Sequence, residues 1–349
     1  MSGSLSGFAC PAPDAGGDKI TLAHGEGGRL MRRLIQQTVL PRLGNEALNS
    51  LGDAAILQTA NSRLAVSTDS YVVSPLFFPG GDIGKLAVFG TVNDLAVSGA
   101  KPLAISLAMI VEEGLPLETL ERVLASVASA AAQVGVPIVT GDTKVVPRHA
   151  ADSLFLNTTG IGEVFFPIPG PDGLCEGDEI LVTGPVGRHG MAVMTCREGL
   201  EFNPAPTSDC APLLDAVTAL QQSGLPVRAM RDATRGGLAA VLHEWAQSSR
   251  LTMAVQEAQV PVTDEVRGAC ELLGLDPIHV ANEGTMVVAV APGAGEAAVK
   301  VLRRVPHCEG ASRIGQAIMG GIAPVVVRRV FGPEIPLDEP LGAPLPRIC

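Results

Sequence analysis

The stretches Leu103-Ala-Ile-Ser-Leu-Ala-Met-Ile-Val111 and Pro137-Ile-Val-Thr-Gly-Asp-Thr-Lys144, separated by a helix-patterned segment from Pro116 to Val134, decide the class of fold. Two apolar runs of strand length around one helix make a β-α-β unit, and such units build α/β layers. The second run ends in Gly141-Asp142-Thr143-Lys144, which puts a carboxylate at the carboxyl end of a strand, where α/β folds bind ligands. Composition agrees. Aromatic residues make up only 3% of the chain, so its cores must be built from Val, Leu, Ile and Ala.

Upstream of this unit, a helix is expected from Gly84 to about Ser98. Ala87, Gly90, Asp94 and Ser98 recur at helical spacing, a stripe of small residues with one carboxylate in it, and apolar residues cover most of the rest. A carboxylate so placed needs a salt bridge, a cap or a metal ion. Before the helix come a Pro/Gly-rich loop over 75–84 and two strands, 55–59 and 64–68, with Asp53 ahead of the first and Asp69 after the second. His24-Gly-Glu-Gly-Gly28 is a glycine-rich turn opening a helix from Arg29 to about Val39, which Pro41 stops. Residues 1–18 read as a disordered extension.

Downstream, a strand at 154–164 leads to Phe166-Pro-Ile-Pro-Gly-Pro171, a breaker that divides residues 19–168 from 169–331. The second half repeats the α/β style. Within it, Arg231-Asp-Ala-Thr-Arg-Gly-Gly237 places an acid, a hydroxyl, a cation and two glycines before a helix, which is either a plain turn or a cradle for phosphate oxygens and their metal. Glu283, between Asn282 and Gly284, is a turn carboxylate or a base. Residues 332–349 are proline-rich and end on Cys349, so they read as an extended, flexible arm carrying a thiol, with a reach of about 50 Å.

Net charge of −11 argues against nucleic-acid or anionic-membrane surfaces. No run approaches the length of a membrane span and no signal peptide is evident, so a cytoplasmic location is expected. The seven cysteines are odd in number, with no Cys-x-x-Cys pair, which indicates neither a disulfide framework nor a zinc site. Most read as inert core thiols, leaving Cys349 as the exposed, mobile one. Asp53, Asp69, Asp94, Asp142 and Asp232 come from five separate segments at element junctions or apolar faces, the donor set of a Mg²⁺ ion shared with substrate phosphates. Neither a P-loop nor the protein-kinase motif set is present.

Six motifs together carry a resemblance: His24-Gly-Glu-Gly-Gly28; Ser67-Thr-Asp-Ser-Tyr71 with Pro79-Gly-Gly-Asp-Ile-Gly-Lys85; Thr91-Val-Asn-Asp-Leu-Ala-Val-Ser-Gly99; Gly141-Asp-Thr-Lys144; Asp232-Ala-Thr-Arg-Gly-Gly237; and Pro346-Arg-Ile-Cys349. From about Lys19 to its end the chain resembles the HypE family of [NiFe]-hydrogenase maturation proteins, within the superfamily of aminoimidazole ribonucleotide synthetase. The resemblance implies a two-domain α/β protein that pairs N-terminal sheets in a homodimer and binds ATP and Mg²⁺. It implies that HypF carbamoylates the terminal cysteine, that the carbamoyl group is dehydrated to a thiocyanate with ATP, and that the cyanide passes to a HypC–HypD complex. By the same resemblance Cys349 carries the substrate, Glu283 is the base and Lys144 orients the carboxamide. Lys85, Asn93, Thr143, Thr234, Arg235, Gly236 and Gly237 would meet the nucleotide, and Asp94, Asp69, Asp53, Asp142 and Asp232 the metal. A selenophosphate-synthetase-like enzyme is the rival; it would need a cysteine and lysine at the glycine turn, which has neither. A non-enzymatic scaffold with a docking tail would not need the acidic loops.

Overall fold

The computed structural model describes residues 19–25, 27–329, 332–340, 342 and 347–349. The expected extension over 1–18 and part of the C-terminal arm lie outside the described residues. The chain begins with α1 (Gly28–Leu34), which passes through a π-helical turn (Ile35–Val39) into the short α2 (Leu40–Leu43). Pro41 was expected to stop the first helix. Instead it occupies the opening turn of α2, where its missing N–H costs nothing, and the coil ends at Gly44.

The N-terminal sheet holds β1 (Ala55–Gln58), β2 (Arg63–Tyr71), β5 (Ala100–Glu112), β6 (Ile138–Val146) and β7 (Leu154–Val164) in the order β1-β2-β7-β5-β6. The expected 75–84 loop is a small hairpin, β3 (Phe77–Phe78) against β4 (Gly81–Asp82), running directly into α3 (Ile83–Val97). Asp82 caps α3 by accepting from the N–H groups of Gly84 and Lys85 at 2.8 and 3.0 Å. α4 (Leu117–Val134) is the crossover that makes β5 and β6 parallel.

Within α3, thirteen of fifteen residues are buried, so Thr91 and Asn93 must find partners inside the protein, and Asp94 is partly buried beside them. The small-residue stripe is what lets the sheet approach. A Cβ on Gly90 would lie 2.2 Å from the Tyr71 hydroxyl. One end of α3 packs Ala96 and Val97 into a core shared with Leu213 and Val288 of the second half.

That half is a seven-stranded sheet, β14-β13-β10-β12-β8-β11-β9. Its strands are β8 (Glu179–Val182), β9 (Val227–Asp232), β10 (Thr252–Gln256), β11 (Met286–Val290), β12 (Ser312–Ile318), β13 (Val325–Arg328) and β14 (Ile335–Pro336). Between them run α5 (Arg188–Arg197), α6 (Leu214–Ser223), α7 (Gly237–Ser249), α8 (Asp264–Leu273) and α9 (Gly295–Leu302). β9 and β10 were missed by pattern reading. Both are short and buried nearly throughout, so they lack the polar/apolar alternation that marks a strand. No helix among the described residues is long and apolar enough to cross a membrane.

The C-terminal arm departs from the expected free tether. β14 pairs with β13 at the sheet edge, and Leu337 N–H donates to Val325 O at 3.0 Å. At the tip, Val72 N–H donates to Cys349 O at 3.0 Å and Ser74 N–H to Arg347 O at 3.3 Å. Ile348 is buried in the core cluster that contains Phe78, Met191 and Val280. The free N–H and C=O groups of a proline-rich arm still seek partners, and one buried isoleucine adds an apolar anchor. Nor is Cys349 singled out by exposure: it is half-buried, whereas Cys175 and Cys196 are exposed.

Candidate active site

Three carboxylates from distant segments converge where the two halves meet. Oxygens of Asp53, Asp94 and Asp232 lie within 4.8 Å of one another. Asp53 precedes β1, Asp94 sits in α3 and Asp232 ends β9. Ser67 of β2 donates to Asp94 Oδ2 at 2.5 Å, tying α3 to the sheet. Asp69, two residues on, faces the same side: the Tyr71 and Thr91 hydroxyls lie 3.4 Å from its Oδ2.

The electrostatics are those of an excess of buried carboxylates. Burial, then the charges of Asp69 and Asp232, push the Asp94 carboxyl well above the usual carboxylate range. Burial and the charge of Asp53 take Asp232 up to about 8. Asp53 rises to about 6, burial outweighing its ion pair with Arg231 at 3.1 Å. Arg231 is shared with Glu244 at 3.2 Å, so one guanidinium faces several acids. A hard divalent cation with oxygen ligands would offset that excess, and the donor set fits Mg²⁺.

Glu283 is held beside this cluster. Asp209 accepts from the Glu283 and Gly284 N–H groups at 3.0 and 3.1 Å and from the Thr285 hydroxyl at 2.9 Å. Asn282 braces the same loop through Gly187 N–H at 2.7 Å and Ala233 O at 2.9 Å. Burial, then the charge of Asp232, raises the Glu283 carboxyl well above its ordinary value, partly offset by Arg235. The Thr234–Gly237 turn runs from β9 into α7, Gly237 N–H donating to Thr234 O at 2.9 Å. Gly236 and Gly237 both have positive φ, and a Cβ on Gly237 would meet Val280 O at 2.6 Å, so close packing itself demands glycine there. Arg235 reaches back to Gly25 O at 3.0 Å, joining the His24–Gly28 turn to this corner.

Other expected site residues are placed elsewhere. Asn93 donates to Ala211 O and Glu283 O at 3.1 and 3.3 Å and accepts from Leu213 N–H at 2.8 Å, which commits its amide to clamping the two halves rather than to a nucleotide. Lys85 is nine residues before Asp94, about 13 Å along α3. Its ammonium lies near Gly80 O and the Phe89 ring, at a second cavity of about 390 Å³ lined by Asp82 and Ser126. Asp69 and Asp142 lie within strands rather than at their ends. Asp142, Thr143 and Lys144 are exposed on the edge strand β6, where Asp142 and Lys144 pair at 3.0 Å. Within the chain they do not join the cluster.

Sequence reading missed the residues that seat the tail. His189 is fully buried, with Nε2 2.6 Å from Ile348 O and Nδ1 2.9 Å from Ser208 Oγ. A carbonyl only accepts, so Nε2 carries the proton and Nδ1 accepts from serine. Arg197 donates to Ser74 O at 2.8 Å and Arg347 O at 2.6 Å. Asp209 was missed as well. The available signal was an acid amid apolar residues in Ser208-Asp-Cys-Ala-Pro212, a weak one.

Comparison with known proteins agrees with this architecture. Models of the AIR synthase related protein N-terminal and C-terminal domains match residues 51–164 and 176–327. The chain is 45% identical over 353 residues to the carbamoyl dehydratase HypE of Cupriavidus necator, covering all of both chains. It is also similar to HypE in a crystal structure of a HypE–HypF complex, at 40% identity and a TM-score of 0.83 over 88% of this chain and 99% of the other. A HypE crystal structure in complex with ATP is 46% identical, with a TM-score of 0.79 over 94% and 100% of the two chains.

Proposed function

This chain belongs to the HypE carbamoyl dehydratase family of AIR synthase related proteins, and from that premise we propose that it uses ATP to dehydrate a carbamoyl group carried on its own Cys349, supplying cyanide for [NiFe]-hydrogenase maturation. The observation that carries this reading is the docking of the chain's own terminal residue on Val72, three residues from Asp69 on the strand that also supports the carboxylate cluster. Three strand residues span about 10 Å, within reach of a nucleotide triphosphate laid between them.

Amide oxygen leaves poorly, so it must first become phosphate. The thiocarboxamide oxygen of Cys349 attacks the γ-phosphorus of ATP, the bond to the β–γ bridging oxygen breaks, ADP leaves and one N–H proton is released. The S–C(=NH)–O–phosphate so formed loses its second nitrogen proton to Glu283, and phosphate departs as the C≡N bond completes. Burial, then the charge of Asp232, raises the proton affinity of Glu283, which strengthens it as a base. Asp53, Asp94 and Asp232, with Asp69 beside them, would hold Mg²⁺, which supplies neutralisation of phosphate charge when bound. The Thr234–Gly237 turn at the start of α7 suits a phosphate group, with Arg235 beside it. His189 and Arg197 position the tail.

Lys144 and Asp142 enter through a second copy. Strand register puts them on the outer face of the N-terminal sheet with Ile110, Phe155 and Ile161, and Ile110 and Ile161 are each 42% exposed. A homodimer pairing these faces buries them and lets Lys144 serve the partner's carboxamide. HypF is the proposed carbamoyl donor, the complex of a relative with HypF supporting it, and a HypC–HypD complex the proposed cyanide acceptor.

Intact-mass spectrometry tests the assignment. With a carbamoyltransferase, its carbamoyl donor and ATP, the chain should gain one carbamoyl mass and then lose one water. Cys349→Ala should gain nothing, whereas Glu283→Gln should load and stop. Modification that survives Cys349→Ala and disappears with another cysteine would overturn the reading.

A further inference from the structure

A cavity whose lining shares no residue with the carboxylate cluster has the opposite charge. About 770 Å³ in volume, it lies between α1, the end of α7 and the Gly320–Pro324 turn. Arg29, Arg32, Arg33, Arg250 and His243 line it, and among the described residues Glu339 is the one acid in its wall. In a chain with 36 acidic and 25 basic residues, chance would mix the signs. Among the described residues Arg29, Arg33 and Arg250 have no carboxylate partner within 4.0 Å, while Arg32 is paired with Glu339 and hydrogen-bonded to Gln247.

Backbone geometry adds a second observation. The left-handed residue that caps a helix carries glycine in α4, α6 and α8, at Gly135, Gly224 and Gly274. At the end of α7 it is Arg250, with φ 60°. A non-glycine residue is strained there, and the side chain retained is a guanidinium at the rim of the cavity.

We infer that this groove binds a small multiply charged phosphate anion, gripped by Arg29, Arg33 and Arg250, with Arg32 exchanging Glu339 for the ligand. Guanidinium forks match phosphate oxygens in pairs, and the volume suits a ligand of up to nucleotide size. Glu339 precedes Pro340, whose carbonyl accepts from Arg29 N–H at 2.9 Å, so the ligand would load the groove at the root of the C-terminal arm. The site is separate from the acidic cluster and does not depend on the activity proposed above.

Calorimetric titration of the full chain with inorganic pyrophosphate, without divalent metal, tests this. One site is expected, weakened by added salt and at least about tenfold weaker in Arg33→Gln/Arg250→Gln. Both positions are exposed, and an unchanged melting temperature would show that the variant folds. Arg235→Gln, at the acidic corner, should bind as the wild type does, and Glu339→Gln, which frees Arg32, should bind more tightly. No binding at up to about 5 mM would overturn the proposal, as would binding unaffected by the double variant or abolished by Arg235→Gln. Binding of an acidic peptide but not of pyrophosphate would overturn it too.

Discussion

Asp69 and Asp142 leave opposite faces of one five-stranded sheet. Asp69 pairs across to Thr158, Thr158 to Leu107 and Leu107 to Gly141, so those four share a face, and Asp142, one residue on, points the other way. Hydrogen bonds agree: Thr158 reaches the α3 side at Thr91 and Ala87 O, whereas Asn157 bonds the Asp69 backbone and Ser70 from the far side. One Mg²⁺ site within one chain therefore cannot use both acids.

Mixed dimers turn that relationship into a test. Lys144→Ala and Glu283→Gln should each be inactive alone. If Lys144 serves the partner's site, co-expressed heterodimers regain dehydration in one of their two sites, read by mass spectrometry. Continued inactivity would place Lys144 in its own subunit's site.

Ile110→Glu with Ile161→Glu should leave the fold intact, because both side chains are already 42% exposed, yet convert a dimer to a monomer by light scattering. A dimer that persists would exclude this face as the contact.

Metal-free protein should lose stability as pH rises. The native state holds protons on Asp53 up to about 6 and on Asp232 up to about 8, above the unfolded value near 3.8, so it binds more protons between those limits. Each unit of raised pKa withdraws about 1.4 kcal/mol as pH climbs through the native value. Melting temperature without Mg²⁺ should thus fall from pH 5 toward pH 8. Mg²⁺ should raise it more at pH 8 than at pH 5, since the ion competes with protons. Asp94→Asn should stabilise the metal-free protein at pH 8 and abolish the Mg²⁺ effect; an unchanged Mg²⁺ shift would remove Asp94 from the ligand set.

Undocking of the tail should be measurable at its thiol. Loss of the His189 bond to Ile348 O removes about 1 to 1.5 kcal/mol, so His189→Ala should speed Cys349 alkylation about five- to tenfold. His189→Gln, which keeps a donor, should recover part of the protection. Equal rates in all three proteins would show that His189 does not hold the tail.

Gly90→Ala should destabilise by about 1 to 3 kcal/mol in denaturant titration, because the added methyl overlaps the Tyr71 hydroxyl and forces α3 off the sheet. A neutral result would mean that α3 has room the structure does not show.

Much of this was legible in the chain itself. The Gly84–Ser98 helix, the β-α-β unit and the 154–164 strand follow from local periodicity, which depends on nothing beyond neighbouring residues. The small-residue stripe already required a close partner for Asp94, though not which one. Pattern reading failed at β9 and β10, where burial on both faces erases alternation, and at Pro41, which is tolerated at the start of a helical turn.

The sequence by itself determined most of the elements, the two α/β halves, the family and the residue types of the chemistry, because spacing and side-chain chemistry are local properties. Only the tertiary structure decided which aspartates meet, that Asn93 clamps the two halves and that the penultimate Ile348 is buried against His189. Those facts depend on which strand lies beside which and which face each presents. A one-residue change of parity, as between Gly141 and Asp142, reverses the outcome without changing any motif.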